Sequence, residues 1–246
     1  MKTKVFCWLG ILFLILGNTA FAETLNLVTE DYPPFDMRVN GQPTGNPDDP
    51  LTGIAVDIIR ELFKRAEIAY TLKIYSWERA YKMALEMPGY GVFCTFRTPE
   101  RESLFQWVGP LADNDWVFMA KKSRNIKLAS LEDARKYRIG NYRGDAIGEF
   151  LEKEGFPVEY VSFDHLNARK LDGEKIDLWA AGSFVGPYLA KREGISSLET
   201  VFQIKEHSMF LALNKAVSPD TVAKLNKHFQ EMKDDGTVEK IYSNYR

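Results

Sequence analysis

CTFRTPERESLFQWVGPL, residues Cys94–Leu111, joins a strand end, a helix start and a return to extended chain. The apolar run Tyr90 to Phe96 ends at Arg97 and meets Thr98-Pro99-Glu100-Arg101. Thr98 suits an N-cap, Pro99 the first helical position, and Glu100 complements the positive helix start. Arg101 is then held at a strand-to-helix junction, where backbone N–H groups lack intrahelical partners. A guanidinium fork beside free donors is a receptor for a carboxylate. A capped surface helix carrying a solvated arginine fits the same residues. Phe105 to Pro110 reads as extended chain again.

On either side the pattern alternates strand and helix. Thr24 to Glu30 alternates like a strand, and Asp31 to Leu51 is a loop rich in Pro, Gly, Asn and Asp. Ile54, Ile58, Ile59, Leu62, Phe63 and Ala66 recur at helical spacing. Strand Tyr70 to Tyr75 and helix Trp77 to Glu86 follow. Beyond the polar turn Asp113-Asn114-Asp115, Trp116 to Lys121 is a strand. Helices are expected over 131–136, 146–153, 166–171 and 185–192, and strands over 137–141, 158–163 and 176–181. His207 to Leu213 is a further strand. Ser218 caps a helix with Val222, Leu225, Phe229 and Met232 on one stripe, Gly236 stops it, and Val238 to Tyr245 forms a last helix. Such alternation predicts an α/β fold with a largely parallel sheet.

Met1 to Ala22 reads as a cleavable signal peptide: Lys2 and Lys4, the apolar stretch Val5 to Gly17, then Ala20-Phe21-Ala22 before Glu23. The stretch is too short for a stable membrane span. Cys7 lies inside it, which argues against a lipid anchor. The expected product is exported to the periplasm. Cys94 is then the one remaining cysteine, so no internal disulfide forms, and its apolar strand suits a buried thiol. Without Met1–Ala22 the chain carries 30 Lys+Arg against 34 Asp+Glu, and no basic block offers a surface for nucleic acid.

Signatures of catalysis are sparse. His165, His207 and His228 lack metal-ligand spacing, so no metal and no cofactor are expected. There is no G-x-S-x-G elbow. Gly140-Asn141-Tyr142-Arg143-Gly144 lacks the Lys-Ser/Thr ending of a phosphate loop, and Arg143-Gly144-Asp145 spells an adhesion tripeptide too short to carry weight. What remains suits a binding cleft. Tyr32 before Pro33-Pro34-Phe35 stands just past the first strand, where open α/β sheets place ligands; it is otherwise an aromatic closing a small core under the loop. Trp77 and Arg79 open a helix after the next strand, as an aromatic wall and a bidentate cation, or as a buried anchor and a solvated arginine. Arg97 adds a second charge beside Arg101 or faces solvent.

The Arg101 segment, with its T-x-x-R turn between strand and short helix, resembles the polar amino-acid-binding group of periplasmic solute-binding proteins, extracellular solute-binding family three. The resemblance covers nearly all of the chain after residue 22. It implies a two-lobed Venus-flytrap fold with two interlobe crossings: lobe 1 over 23–115, lobe 2 over 116–207, and a return to lobe 1 over 208–246. It implies that Arg101 grips a ligand carboxylate, that Tyr32 stacks on the ligand, and that Gly144 offers a backbone N–H from the second lobe. Asp145 departs from the small hydroxyl residue usual there; it is a helix N-cap or a partner for a ligand cation. Gly182, followed by Ser183, stands where the family usually has an aspartate for the ligand's ammonium, and Asp177 lies too early in its strand to replace it. Another acid (Asp145, Glu30 or Asp31) must serve, or the ligand is no ordinary α-amino acid.

The implied function is capture of a small polar solute, an amino acid or related compound, by a monomer serving an inner-membrane ABC permease. Two alternatives share the fold: a periplasmic enzyme of the cyclohexadienyl dehydratase type, with Glu78 or Asp145 as its acid, and a ligand-binding module for a sensor.

Overall fold

The structure, a computed structural model, describes residues 24–245, so the leader reading of Met1–Ala22 lies outside the described residues. Two five-stranded sheets organise the chain. In the first, β1 (Leu25–Thr29) pairs in parallel with β4 (Tyr70–Ile74) and β5 (Tyr90–Phe96). Next to β5 lies β12 (Ser208–Asn214), antiparallel to it and to the edge strand β6 (Phe105–Asp113). In the second, β8 (Ile139–Tyr142) runs parallel to β9 (Val158–Val161) and β10 (Leu178–Gly182). There β7 (Trp116–Lys121) is antiparallel to β10 and to β11 (Leu198–Lys205). The strands β2 (Met37–Arg38) and β3 (Leu51–Thr52) form a separate ribbon within the long loop.

The α/β class holds, but each sheet is mixed rather than largely parallel. The reason is topological. The chain leaves the first sheet on β6 and returns to it on β12, so these neighbours run in opposite directions. In the second sheet the incoming β7 and outgoing β11 do the same. Strand β11 carries no clean alternation in Leu198–Lys205, and sequence reasoning missed it; its register slips twice against β7.

Helices cover the sheets through the apolar stripes seen in the sequence. On α1 (Ile54–Arg65), Ile54, Ile58, Ile59, Leu62 and Phe63 are all buried. Gly53, just ahead of it, has φ +130°, and an added Cβ would lie 2.2 Å from the Phe35 carbonyl, so only glycine fits. Its N–H donates to the Tyr245 hydroxyl, which donates in turn to Asp57, pinning the C-terminus to the helix start. On α7 (Pro219–Asp234), Leu225, Phe229 and Met232 face the first lobe, and the Ser218 hydroxyl accepts from Thr221 N–H at the cap. The segment 131–136 is a 3₁₀ turn held by reciprocal Ser130 and Asp133 bonds.

The two crossings run side by side. Asn114 N–H donates to the His207 carbonyl at 2.9 Å, and His207 N–H donates to the Asp115 carboxylate. The His207 ring stacks on Trp116 with centroids 4.2 Å apart, and Phe96 meets both edge-on. Burial lowers the His207 imidazole to about 4, so it is neutral near neutral pH. No helix among the described residues is long and apolar enough to cross a membrane.

Phe93, fully buried in the central strand β5, tests the packing of the first lobe. Phe93→Ala is expected to cost about 3–5 kcal/mol in chemical denaturation. A loss under about 1 kcal/mol would place Phe93 outside a close-packed core.

Candidate functional site

The lobes face each other across the C-terminal ends of β1, β5 and β8, and Arg101 stands at the centre of that interface. The short helix α3 (Pro99–Glu102) starts with Pro99 at its first position and Thr98 at the cap. Thr98 caps by backbone alone: its carbonyl accepts from Arg101 and Glu102 N–H, and its hydroxyl makes no capping bond. This turn buries Arg101 to 2 % exposure. Its guanidinium lies 5.5 Å from the Trp77 ring centroid and 4.9 Å from that of Tyr81. Nη2 donates across the interface to the Gly144 carbonyl and to Glu149, both at 2.8 Å. Nη1 is buried with no hydrogen-bond partner. The Glu149 side chain is 53 % exposed, so that ion pair compensates a buried guanidinium poorly.

Trp77, at the start of α2 (Trp77–Glu86), is buried and donates Nε1–H to the Gly144 carbonyl at 2.6 Å. Gly144 therefore presents its carbonyl to the first lobe, not the N–H expected from the resemblance. With φ +75° its peptide turns so that one oxygen receives both Trp77 and Arg101. Tyr32 is buried at the end of β1, stacked on Phe35, with its hydroxyl accepting from Asn114 Nδ2 at 3.0 Å.

Two predicted residues lie elsewhere. Arg97 forks onto Glu102 at 2.6 Å and sits over the Trp107 and Phe210 rings, on the outer side of the strand end. Arg97 follows the last residue of β5, whereas Arg101 sits on α3, so the two guanidiniums leave different elements. Arg79 is exposed, 4.3 Å above the Tyr75 ring, at a groove that also touches Phe163 of the second lobe.

Acids that the sequence offered as substitutes separate clearly. Asp31 is taken by Arg192 of α6 (Val185–Arg192), at 2.6 and 3.2 Å across the interface. Asp177, which the sequence set aside, pairs with Arg138. Glu30 is buried and accepts from the Tyr142 hydroxyl at 2.8 Å, also across the interface. Asp145, at the N-cap position of α4 (Ala146–Lys153), is buried and accepts from Asn141 Nδ2 at 2.8 Å. Burial raises the Asp145 carboxyl to about 6, against the lowering pull of the Asn141 bond and the Arg101 charge. Asp164, which sequence reasoning missed, caps α5 (His165–Asp172); burial and then the Asp145 charge raise it to about 7. Only its place after β9 could have flagged it, since nothing in 158–166 resembles a ligand motif.

Gly182 has a structural reason. A Cβ there would fall 2.2 Å from Asn114 Nδ2, so the Asn114 carboxamide occupies the space of a side chain at 182. Asn114 thereby joins both lobes, donating to Tyr32 and accepting from Phe184 N–H. Beside this region lies a cavity of about 170 Å³ between the lobes, lined by Pro99, Trp116, Glu149 and His207 among others.

A buried, half-compensated cation and opposing polar groups between two hinged lobes define a receptor for a small solute. The chain belongs to the bacterial extracellular solute-binding proteins, family 3, whose description matches residues 25–246. Among curated relatives, a putative ABC transporter arginine-binding protein 2 of Escherichia coli K12 is 23% identical, over 94% of this chain and 93% of that protein. Among solved structures, a histidine kinase sensor domain similar to periplasmic binding proteins superposes with TM-score 0.80 at 16% identity, covering 90% of this chain and 95% of that one. An ancestral arginine-binding protein bound to arginine gives 0.76 at 21% identity, covering 90% and 97%. The two-lobed fold implied by the sequence resemblance is the fold of these proteins.

The close approach at Gly182 yields a test. Gly182→Ala should lower stability by about 1–3 kcal/mol in thermal denaturation, and adding Asn114→Ala should recover part of the loss. A neutral Gly182→Ala would show that Asn114 does not hold that space.

Proposed function

We propose that this protein captures a small polar solute carrying a carboxylate between its lobes, in the periplasm, and delivers it as a monomer to an inner-membrane ABC permease. The observation that carries this reading is Arg101: a guanidinium buried to 2 %, with Nη1 unpaired and a half-exposed carboxylate as its counter-ion. A ligand carboxylate arriving there would complete a bidentate contact and release Arg101 from Glu149 and the Gly144 carbonyl. Trp77 and Tyr32 would wall the ligand with apolar rings, and Asp145 would face its far side. The Escherichia coli relative named for arginine binding and the arginine-bound ancestral structure favour an amino acid with a charged side chain.

Capture would shift the lobes toward closure through contacts that form only when both touch the ligand. A sensor role is the second reading, favoured by the fit to the histidine kinase sensor domain. Co-purification with a permease against co-purification with a kinase separates the two.

Titration of L-arginine by calorimetry tests the binding role. Arg101→Ala should weaken affinity by about 2–5 kcal/mol, which is at least about thirtyfold. Arg101→Lys should also weaken it, since an ammonium cannot reproduce the fork. Unchanged affinity in folded variants, checked by circular dichroism, would return Arg101 to a structural role.

A further inference from the structure

Around the cleft, arginine meets carboxylate in two different ways. Arg192 and Asp31 join the lobes by two bonds, of 2.6 and 3.2 Å, with both side chains largely buried. Arg97 forks onto Glu102 with two bonds of 2.6 Å inside the first lobe. Arg101 and Glu149 share one bond of 2.8 Å, from Nη2 to Oε2, while Nη1 stays buried without a partner. Only 3 % of the Arg101 side chain is exposed, against 53 % of the Glu149 side chain. The first two pairs are matched forks. The third is a single-point contact with one partner still half in water, and such a contact exchanges more readily than a fork.

Glu149 is presented to Arg101 by a fixed backbone. It lies in α4, whose Ile147, Gly148 and Leu151 are buried. A Cβ on Gly148 would fall 2.7 Å from the Tyr160 ring, so α4 lies close against its own lobe. The Glu149 side chain also has room to leave Arg101, because it lines the cavity of about 170 Å³ between the lobes together with Lys153 and Lys205. Lys153 is engaged by Glu100 at 2.5 Å. Lys205 lies over the Trp116 and Phe150 rings and forms no ion pair among the described residues. A displaced carboxylate therefore turns toward a positive wall.

We propose that Glu149 is a tethered stand-in for the solute's carboxylate and sets which carboxylates the cleft admits. This role rests on the reading of Arg101 as the carboxylate receptor, and adds the group that a solute must displace. A group tethered nearby competes at an effective concentration in about the millimolar range. A simple acid such as formate brings only the contact that Glu149 already makes, so it does not take its place. A solute with further contacts in the cleft brings more, and it does. Selectivity then comes from a repulsive element as well as an attractive one: the charge that holds Arg101 opposes each incoming anion until it is moved aside.

Formate, a carboxylate with nothing attached, tests this role without an identified solute. Thermal denaturation of the solute-free protein is followed in sodium formate and in sodium chloride at matched ionic strength, so that general screening is the same in both. Formate should raise the midpoint of Glu149→Ala by about 1–3 °C over chloride, through mass action on the vacated guanidinium. Glu149→Gln, which keeps the size of the side chain and removes its charge, should shift in the same direction. The unsubstituted protein should melt alike in both salts, and adding Arg101→Ala to Glu149→Ala should abolish the gain. Equal formate responses in the unsubstituted protein and both Glu149 variants overturn the proposal. A gain that survives the loss of Arg101 overturns it too. The two readings fail separately: Arg101→Ala can weaken L-arginine binding with no formate effect in the Glu149 variants, which removes the competitor alone. A formate gain that requires Arg101, beside L-arginine binding that does not, removes the solute reading alone.

Discussion

The Gly144 carbonyl is the point on which the interface turns. It accepts from Trp77 Nε1 and Arg101 Nη2, so one backbone oxygen of the second lobe ties down a buried indole and a buried cation of the first. Both donors are nine-tenths or more buried, and losing the acceptor would leave them unsatisfied in a dry site. A glycine in the left-handed region is what lets the loop after β8 turn its oxygen toward the first lobe.

Around that contact the interface is polar and divided by task. Asp31 with Arg192 holds one flank and Lys153 with Glu100 the other. The first pair is largely buried and the second exposed, so the Asp31 flank carries more of the coupling between lobes. The hinge adds Asn114, which bonds to Tyr32 below and Phe184 beside it. Asn114 therefore links the crossing to the buried Tyr32 ring, and it stands where a side chain at 182 would otherwise point.

Much of this was legible before any coordinates. The α1 and α7 stripes fixed which helix faces are buried, and the Thr98-Pro99 start placed Arg101 at a strand-to-helix turn. Gly182 stands where the family resemblance implies an aspartate, which raised the question of a cation partner before any coordinates. Three things were not legible. The mixed sheets follow from long-range pairing of outgoing and returning strands, which local periodicity does not encode. The direction of the Gly144 carbonyl follows from a left-handed turn that local periodicity does not encode. Asp164 comes under the charge of Asp145 only through folding, because its own neighbours in sequence suggest a plain helix cap.

A crystal structure of the mature chain with the tightest-binding member of an amino-acid panel tests the central claim most directly. The account predicts the ligand between the lobes, its carboxylate hydrogen-bonded to both Nη atoms of Arg101, and the bond from Arg101 to the Gly144 carbonyl broken. A ligand seated in the cavity beside Trp116 and His207, with Arg101 still on Gly144 and Glu149, would contradict it.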